Sequence, residues 1–222
     1  MVKTVKLLGV AVLILVCFCL VLPGLSYSTL IVPSYGETGW QTFVHSQSEG
    51  PFYGKVRIGV SNFGNDEYDS VILIDNFKIN DEVKCGFESG FSPSIPYGSG
   101  GIIPEAYFHP ENPYRPTQGT YLAFILAHGV DTSQYGGTYG GYVELSLSLN
   151  AGDTVSFDWA FLAMDYSPYA DFAFIAVHND QGQLVDFIKL AQINPVPLPG
   201  TLILIGSGLL GIGGLRRKIF KR

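Results

Sequence analysis

Two short acidic turns hold the residues best suited to chemistry. Asn65-Asp66-Glu67-Tyr68-Asp69 supplies several hard oxygens within one turn, and Asp165 and Asp171 flank a second turn, Tyr166-Ser167-Pro168-Tyr169. Carboxylate and amide oxygens are what Ca²⁺ takes as ligands. Asp66, Asp69, Asp165 and Asp171 are therefore candidate metal ligands, with Ca²⁺ as the ion. Neither turn has the twelve-residue spacing of an EF-hand. The plainer reading is that these are solvated turn carboxylates bonded to their own backbone. Tyr166 and Tyr169 are candidate ligand-binding residues, because a tyrosine ring stacks on a sugar face and ends in a polar tip. Tyr135, Tyr139 and Tyr142 on a Gly-rich segment are of the same kind. For any one tyrosine, ordinary core or rim packing is the alternative. Asp75 follows the apolar run Val71–Ile74. Burial there demands partners, so it is either a metal ligand or a hydrogen-bonded structural acid.

Other chemistries find little support. His45, His109, His128 and His178 fall in neither His-x-His nor His-Glu-x-x-His spacing, so zinc is not indicated. Gly-x-Ser-x-Gly does not occur, and Cys85 has no evident partner. A glycosidase needs two carboxylates about 5–10 Å apart, but acids are too abundant here for a pair to stand out. Gly206-Ser207-Gly208-Leu209-Leu210-Gly211 fits Gly-x-Gly-x-x-Gly, yet it lies inside an apolar run with no βαβ unit around it. No catalytic residue is assigned, and the chain reads as a non-enzyme.

Charge narrows the partners. Seven of the 13 basic residues lie at the two ends and all 19 acidic residues between them, which leaves six positive against 19 negative, a balance of −13. Such a surface repels phosphate backbones, so nucleic acid is excluded as a partner and cations are favoured.

The elements that position these residues read as β-strands. Val56, Ile58 and Val60 alternate with polar or small residues, as do Val143, Leu145, Leu147 and Leu149, and Val155, Phe157, Trp159 and Phe161. Period two over several apolar positions marks a half-buried strand. Trp40–His45, Ser70–Ile79, Tyr121–His128, Asp171–His178 and Leu184–Leu190 are further strand candidates, with Gly, Pro, Asn and Asp between them. Many strands without an interior helical pattern predict an all-β fold, a single β-sandwich or jelly roll over residues 29–194. The Pro-rich stretch Ser92–Pro116 is expected to be a long surface Ω-loop.

The two ends read as signals. Residues 1–28 carry Lys3 and Lys6, an apolar run Leu7–Leu22, then Pro23-Gly24 and the small Ser26 and Ser28. That is the pattern of a signal peptide, with cleavage expected before Thr29; an uncleaved N-terminal helix is the alternative. Val16 and Phe18 precede Cys17 and Cys19, where a lipoprotein signal needs a small residue. Residues 195–222 run through Val196-Pro197-Leu198-Pro199-Gly200, an uncharged stretch to Leu215, and the basic end Arg216-Arg217-Lys218-Ile219-Phe220-Lys221-Arg222. As a helix the uncharged stretch falls slightly short of a ~30 Å hydrocarbon core. The basic end would stay cytoplasmic.

This tripartite end resembles the PEP-CTERM sorting signal of Gram-negative envelope proteins, with Leu198 where that family most often has Glu. An ordinary single-span tail anchor is the alternative. The resemblance implies an exosortase as processing enzyme, a transmembrane anchor before processing, and a final place at the cell surface or outside the cell. The residues that carry the signal are Val196, Pro197, Leu198, Pro199, Gly200, Arg216, Arg217 and Lys218.

The middle of the chain is similar to jelly-roll domains common in that family. Gly152–Trp159 with Asp165–Phe172 looks like their central part, Cys85–Phe91 like their opening strand, and Tyr68–Phe77, preceded by Gly39–Phe43, like their closing strand. In this chain the opening and closing motifs come in reversed order. The domain is then either circularly permuted, the preferred reading, or two joined half-domains. Permutation requires one core, with Val56, Ile58, Val60, Val71 and Leu73 facing Phe157, Trp159, Phe161, Phe172 and Phe174. The functional expectation is an exported, non-catalytic sandwich associated with extracellular matrix or exopolysaccharide. A Ca²⁺-dependent carbohydrate-binding module is the alternative, and a secreted hydrolase comes third.

Overall fold

The computed structural model describes residues 27–195. The two expected terminal helices, and every residue of the sorting signal named above, lie outside the described residues.

The chain from Tyr27 onward is built of short and medium strands. β1 (Leu30–Val32), β2 (Gln41–Ser46), β3 (Phe52–Ser61) and β4 (Val71–Ile79) come first. Six short strands follow: β5 (Glu82–Cys85), β6 (Glu88–Phe91), β7 (Ile95–Tyr97), β8 (Gly100–Ile103), β9 (Ala106–His109) and β10 (Asn112–Tyr114). β11 (Leu122–Leu126) and β12 (Val130–Asp131) lead into the long strands β13 (Tyr139–Leu149), β14 (Thr154–Leu162), β15 (Phe172–Asn179) and β16 (Leu184–Ile193). One sheet has the order β1-β16-β15-β3-β13-β12, and the other β2-β14-β4-β11-β8.

The N-terminal piece supplies an interior strand to each sheet. β3 lies antiparallel between β13 and β15, with Ile58 opposite both Val143 and Ile175. β4 lies antiparallel between β14 and β11, with Ile74 opposite both Trp159 and Ala123. The early and late parts of the chain therefore share one core. Val56, Ile58, Val60, Ile72 and Ile74 pack with Phe157, Trp159, Phe161, Ala173 and Ile175. The free thiol of Cys85 is buried in the same cluster.

Two strands face the other way from expectation. Leu73 and Val71 do not enter this core; they pack outside the second sheet with Leu122, Ala160 and Leu162. Phe172 and Phe174 likewise pack outside the first sheet with Tyr135, Tyr142 and Phe187. The physical reason is that β4 and β15 are covered on both faces. Their runs are apolar at every position, so alternation does not say which side is inward.

Ser92–Pro116 is not an Ω-loop. β7 pairs with β13 and β8 with β11, extending the two sheets. β9 and β10 form a hairpin whose Ala106 and Tyr114 cover Leu73 and Leu122. These strands of three or four residues are too short to show a period.

Asp75 is the hydrogen-bonded structural acid. It is fully buried, and its oxygens accept from the backbone N–H of Asn76, Thr117 and Gln118 at 2.7, 2.7 and 2.9 Å. Burial pushes its carboxyl above the ordinary value, and these bonds offset part of that. The Thr117 hydroxyl lies 3.1 Å from Asp75 Oδ2 and 2.6 Å from Asp158 Oδ2. It fills the gap between the two carboxylates and pins the segment before β11 to the sheet.

Candidate functional site

Strand register brings the two acidic turns together. Ser61, the last residue of β3, sits opposite Phe172, the first of β15. Val71, the first residue of β4, sits opposite Leu162, the last of β14. The β3–β4 and β14–β15 connections thus cross between the sheets side by side, at one end of the sandwich.

Hydrogen bonds knit these connections into one junction. Asp171 Oδ2 accepts from the Ser70 hydroxyl at 2.7 Å, and Asp171 Oδ1 from the Phe63 N–H at 3.0 Å. The Met164 N–H donates to the Ser70 oxygen at 3.1 Å. Asp165 Oδ1 accepts from the Tyr166 N–H at 2.7 Å. Asn62 Nδ2 donates to Asp69 Oδ1 at 3.1 Å and to the Ala127 carbonyl at 2.9 Å. Asn62, Ser70, Asp165 and Asp171 are all 0% exposed. Burial raises the Asp171 carboxyl to about 7, and the neighbouring Asp165 and Asp69 carboxylates push the same way.

The two turns, weighed separately as metal sites, face one another: Asp165 and Asp69 lie near Asp171, whereas Asp66 is exposed on its turn. Three oxygens of the junction, Asp165 Oδ2, Asn62 Oδ1 and Asn65 Oδ1, are buried without a hydrogen-bond partner. Among the described residues, no three His, Cys, Asp or Glu side chains are grouped so as to hold a metal by themselves.

A tyrosine rim lies over the junction. Tyr166 is its hub, with ring centroids 5.5 Å from Tyr169, 6.1 Å from Tyr35 and 6.3 Å from Tyr68. Tyr35, Tyr68 and Tyr166 are 55%, 47% and 38% exposed, and Tyr169 is half-buried. The Tyr35 N–H donates to the Asp165 carbonyl at 3.1 Å, and the Ser167 N–H to Ser34 Oγ at 2.9 Å, which ties the segment after β1 to the same turn. Tyr166 and Tyr169 are the two candidate ligand-binding tyrosines of that turn. Tyr68 belongs to the rim only because the turns meet, and Tyr35 carries no sequence signal.

The other tyrosine segment behaves differently. Tyr139 is exposed, but Tyr135 and Tyr142 are buried. Tyr135 lies parallel to Phe187 with centroids 5.8 Å apart, and Arg57 sits over the Tyr142 ring. Arg57 also donates to Glu144 at 2.9 Å and to the Tyr135 hydroxyl at 2.8 Å, and Lys55 donates to Glu144 at 2.6 Å. Burial pushes the Glu144 carboxyl up, but the Lys55 and Arg57 bonds more than offset this, leaving it below the ordinary value. Tyr135 and Tyr142 therefore anchor a charge network and are not ligand-facing.

Fold and rim together define an all-β sandwich ectodomain with loop-borne aromatics gathered at one end. Its tail gives a second, independent identification: the profile of the PEP-CTERM protein-sorting motif matches residues 195–218. The chain carries that motif, which implies export, sorting to the cell surface and processing by an exosortase. The match covers the tail and not the sandwich. No curated protein matches the chain.

Proposed function

We propose that this is an exported, non-catalytic β-sandwich that binds extracellular polysaccharide through Tyr35, Tyr68, Tyr166 and Tyr169 and so joins the matrix at the cell surface. The carrying observation is the convergence of these four tyrosines from three separate segments onto one end of the sandwich. Rings of this kind offer sugar faces apolar area and leave phenol tips free for hydroxyls. The exposed Asp66 and Glu67 precede Tyr68 on the same turn. Their charge favours neutral or amino sugars over uronic-acid polymers. In this reading residues 1–28 direct export and the tail holds the protein in the inner membrane until the exosortase acts.

The test is co-sedimentation of the exported protein with the organism's own exopolysaccharide. Replacing Tyr166 and Tyr169 by Ala is expected to weaken retention at least tenfold, since about 0.7 kcal/mol lost per ring is enough, less than the roughly 1–3 kcal/mol that a nucleobase gains on an aromatic ring. Retention equal to wild type in that variant would reject the rim as the binding surface.

A further inference from the structure

The junction beneath the rim has more oxygen than its own hydrogens satisfy. Of the five buried side-chain atoms without a partner among the described residues, three sit here: Asn62 Oδ1, Asn65 Oδ1 and Asp165 Oδ2. The orientation of Asn62 is fixed by its bonds. Its Nδ2 faces Asp69 Oδ1 and the Ala127 carbonyl, so exchanging nitrogen and oxygen would set the oxygen against two acceptors. Asp165 Oδ1 takes the Tyr166 N–H, and Oδ2 is left bare although the residue is wholly buried.

No Lys or Arg among the described residues forms an ion pair with Asp69, Asp165 or Asp171. The only imidazole close by is His128, with Nδ1 3.6 Å from Asp69 Oδ2. Buried carboxylates without a counter-charge are costly, and the usual remedies are a proton or a cation.

We propose that a Ca²⁺ ion binds at this junction, held by the carboxylates of Asp165 and Asp171 together with the amide oxygens of Asn62 and Asn65. The donor set is all oxygen, which fits a hard cation and argues against zinc, whose sites draw on nitrogen and sulfur. Amide oxygens and an irregular loop arrangement suit Ca²⁺, which accepts six to eight ligands in flexible geometry; Mg²⁺ demands a near-ideal octahedron. The ion ties the β3–β4 connection to the β14–β15 connection and so fixes Tyr68 against Tyr166. The site is independent of the polysaccharide reading, because ion binding is measured without any sugar.

The experiment uses the full exported protein, stripped with EGTA and then titrated with CaCl₂ or MgCl₂ by calorimetry and by thermal melting. One Ca²⁺ per chain is expected, with the melting temperature rising by several degrees as the folded state is stabilised by mass action. Asp165→Asn is expected to weaken binding at least tenfold, and Asn65→Ala, on a half-buried turn, to weaken it without removing a buried acid. Asp66→Asn, on the exposed side of the turn, is expected to bind as wild type does. Three results would overturn the site: no heat and no melting shift at millimolar Ca²⁺, wild-type affinity in both Asp165→Asn and Asn65→Ala, or an equal response to Mg²⁺.

Discussion

The Ser70 hydroxyl donates to Asp171 Oδ2 at 2.7 Å, joining residues 101 positions apart in the chain. This bond links the two crossing connections, and Asp171 makes it while buried near the Asp165 and Asp69 carboxylates. Its carboxyl is raised to about 7, above the unfolded value near 3.9. A raised carboxyl favours the folded state while it is protonated. Its contribution is therefore complete below pH ~4 and is lost as pH rises toward 7. Asp165 and Asp69 face the group, and His128 stands beside Asp69. In EGTA the melting temperature is expected to fall between pH 4 and 7, and Asp171→Asn to flatten that slope. Glu144 and Asp158, whose carboxyls are lowered, lose their contributions only at more acid pH, whereas Asp75, also raised, adds a fall of the same sign that Asp171→Asn leaves in place.

The lock at Asp75 gives a second prediction. Its carboxylate accepts from three backbone N–H groups, two of them on the exposed Thr117–Gln118 segment. Asp75→Ala removes all three bonds, each worth about 0.5–1.5 kcal/mol net and more to a charged acceptor. The expected loss in chemical denaturation is on the order of 3 kcal/mol or more. A loss under 1 kcal/mol would mean that the segment around Thr117 is held some other way.

How much of this was legible follows from burial. Val56, Ile58 and Val60, and the alternating residues of β13 and β14, face the core as their period predicts, because their strands alternate apolar with polar or small residues. Ile72 and Leu73 could not be told apart, because each finds an apolar layer on its own side of β4. The hairpin that makes one of those layers hides in Ser92–Pro116, where no strand exceeds four residues. The site was legible only as far as single turns reach. Tyr166, Tyr169, Asp165 and Asp171 share one turn and could be named, whereas Tyr35 joins them through a contact across more than a hundred residues. The partners of Asp75 were hidden for the same reason, since Thr117 lies 42 positions away.

Packing at the N-terminus bears on processing. The Tyr27 ring stacks on Phe43 with centroids 4.6 Å apart, at the start of the described chain. Cleavage before Thr29 would strip this ring from the core. Ser26 also offers the small residue that signal peptidase reads. The exported protein is therefore expected to begin at Tyr27, and intact-mass analysis reads this directly. A start at Thr29 would show that Phe43 tolerates exposure, and a chain retaining Met1 would contradict removal of the signal.

The central claim is that the four tyrosines are the recognition surface. An array of neutral, amino and acidic glycans probed with the exported protein tests it most directly, alongside a variant with Tyr35, Tyr68, Tyr166 and Tyr169 all replaced by Ala. Binding to neutral or amino sugars that vanishes in the variant, with its melting curve intact, is the predicted result. Wild-type binding that survives the four substitutions, or no binding to any glycan by the wild type, would contradict the account.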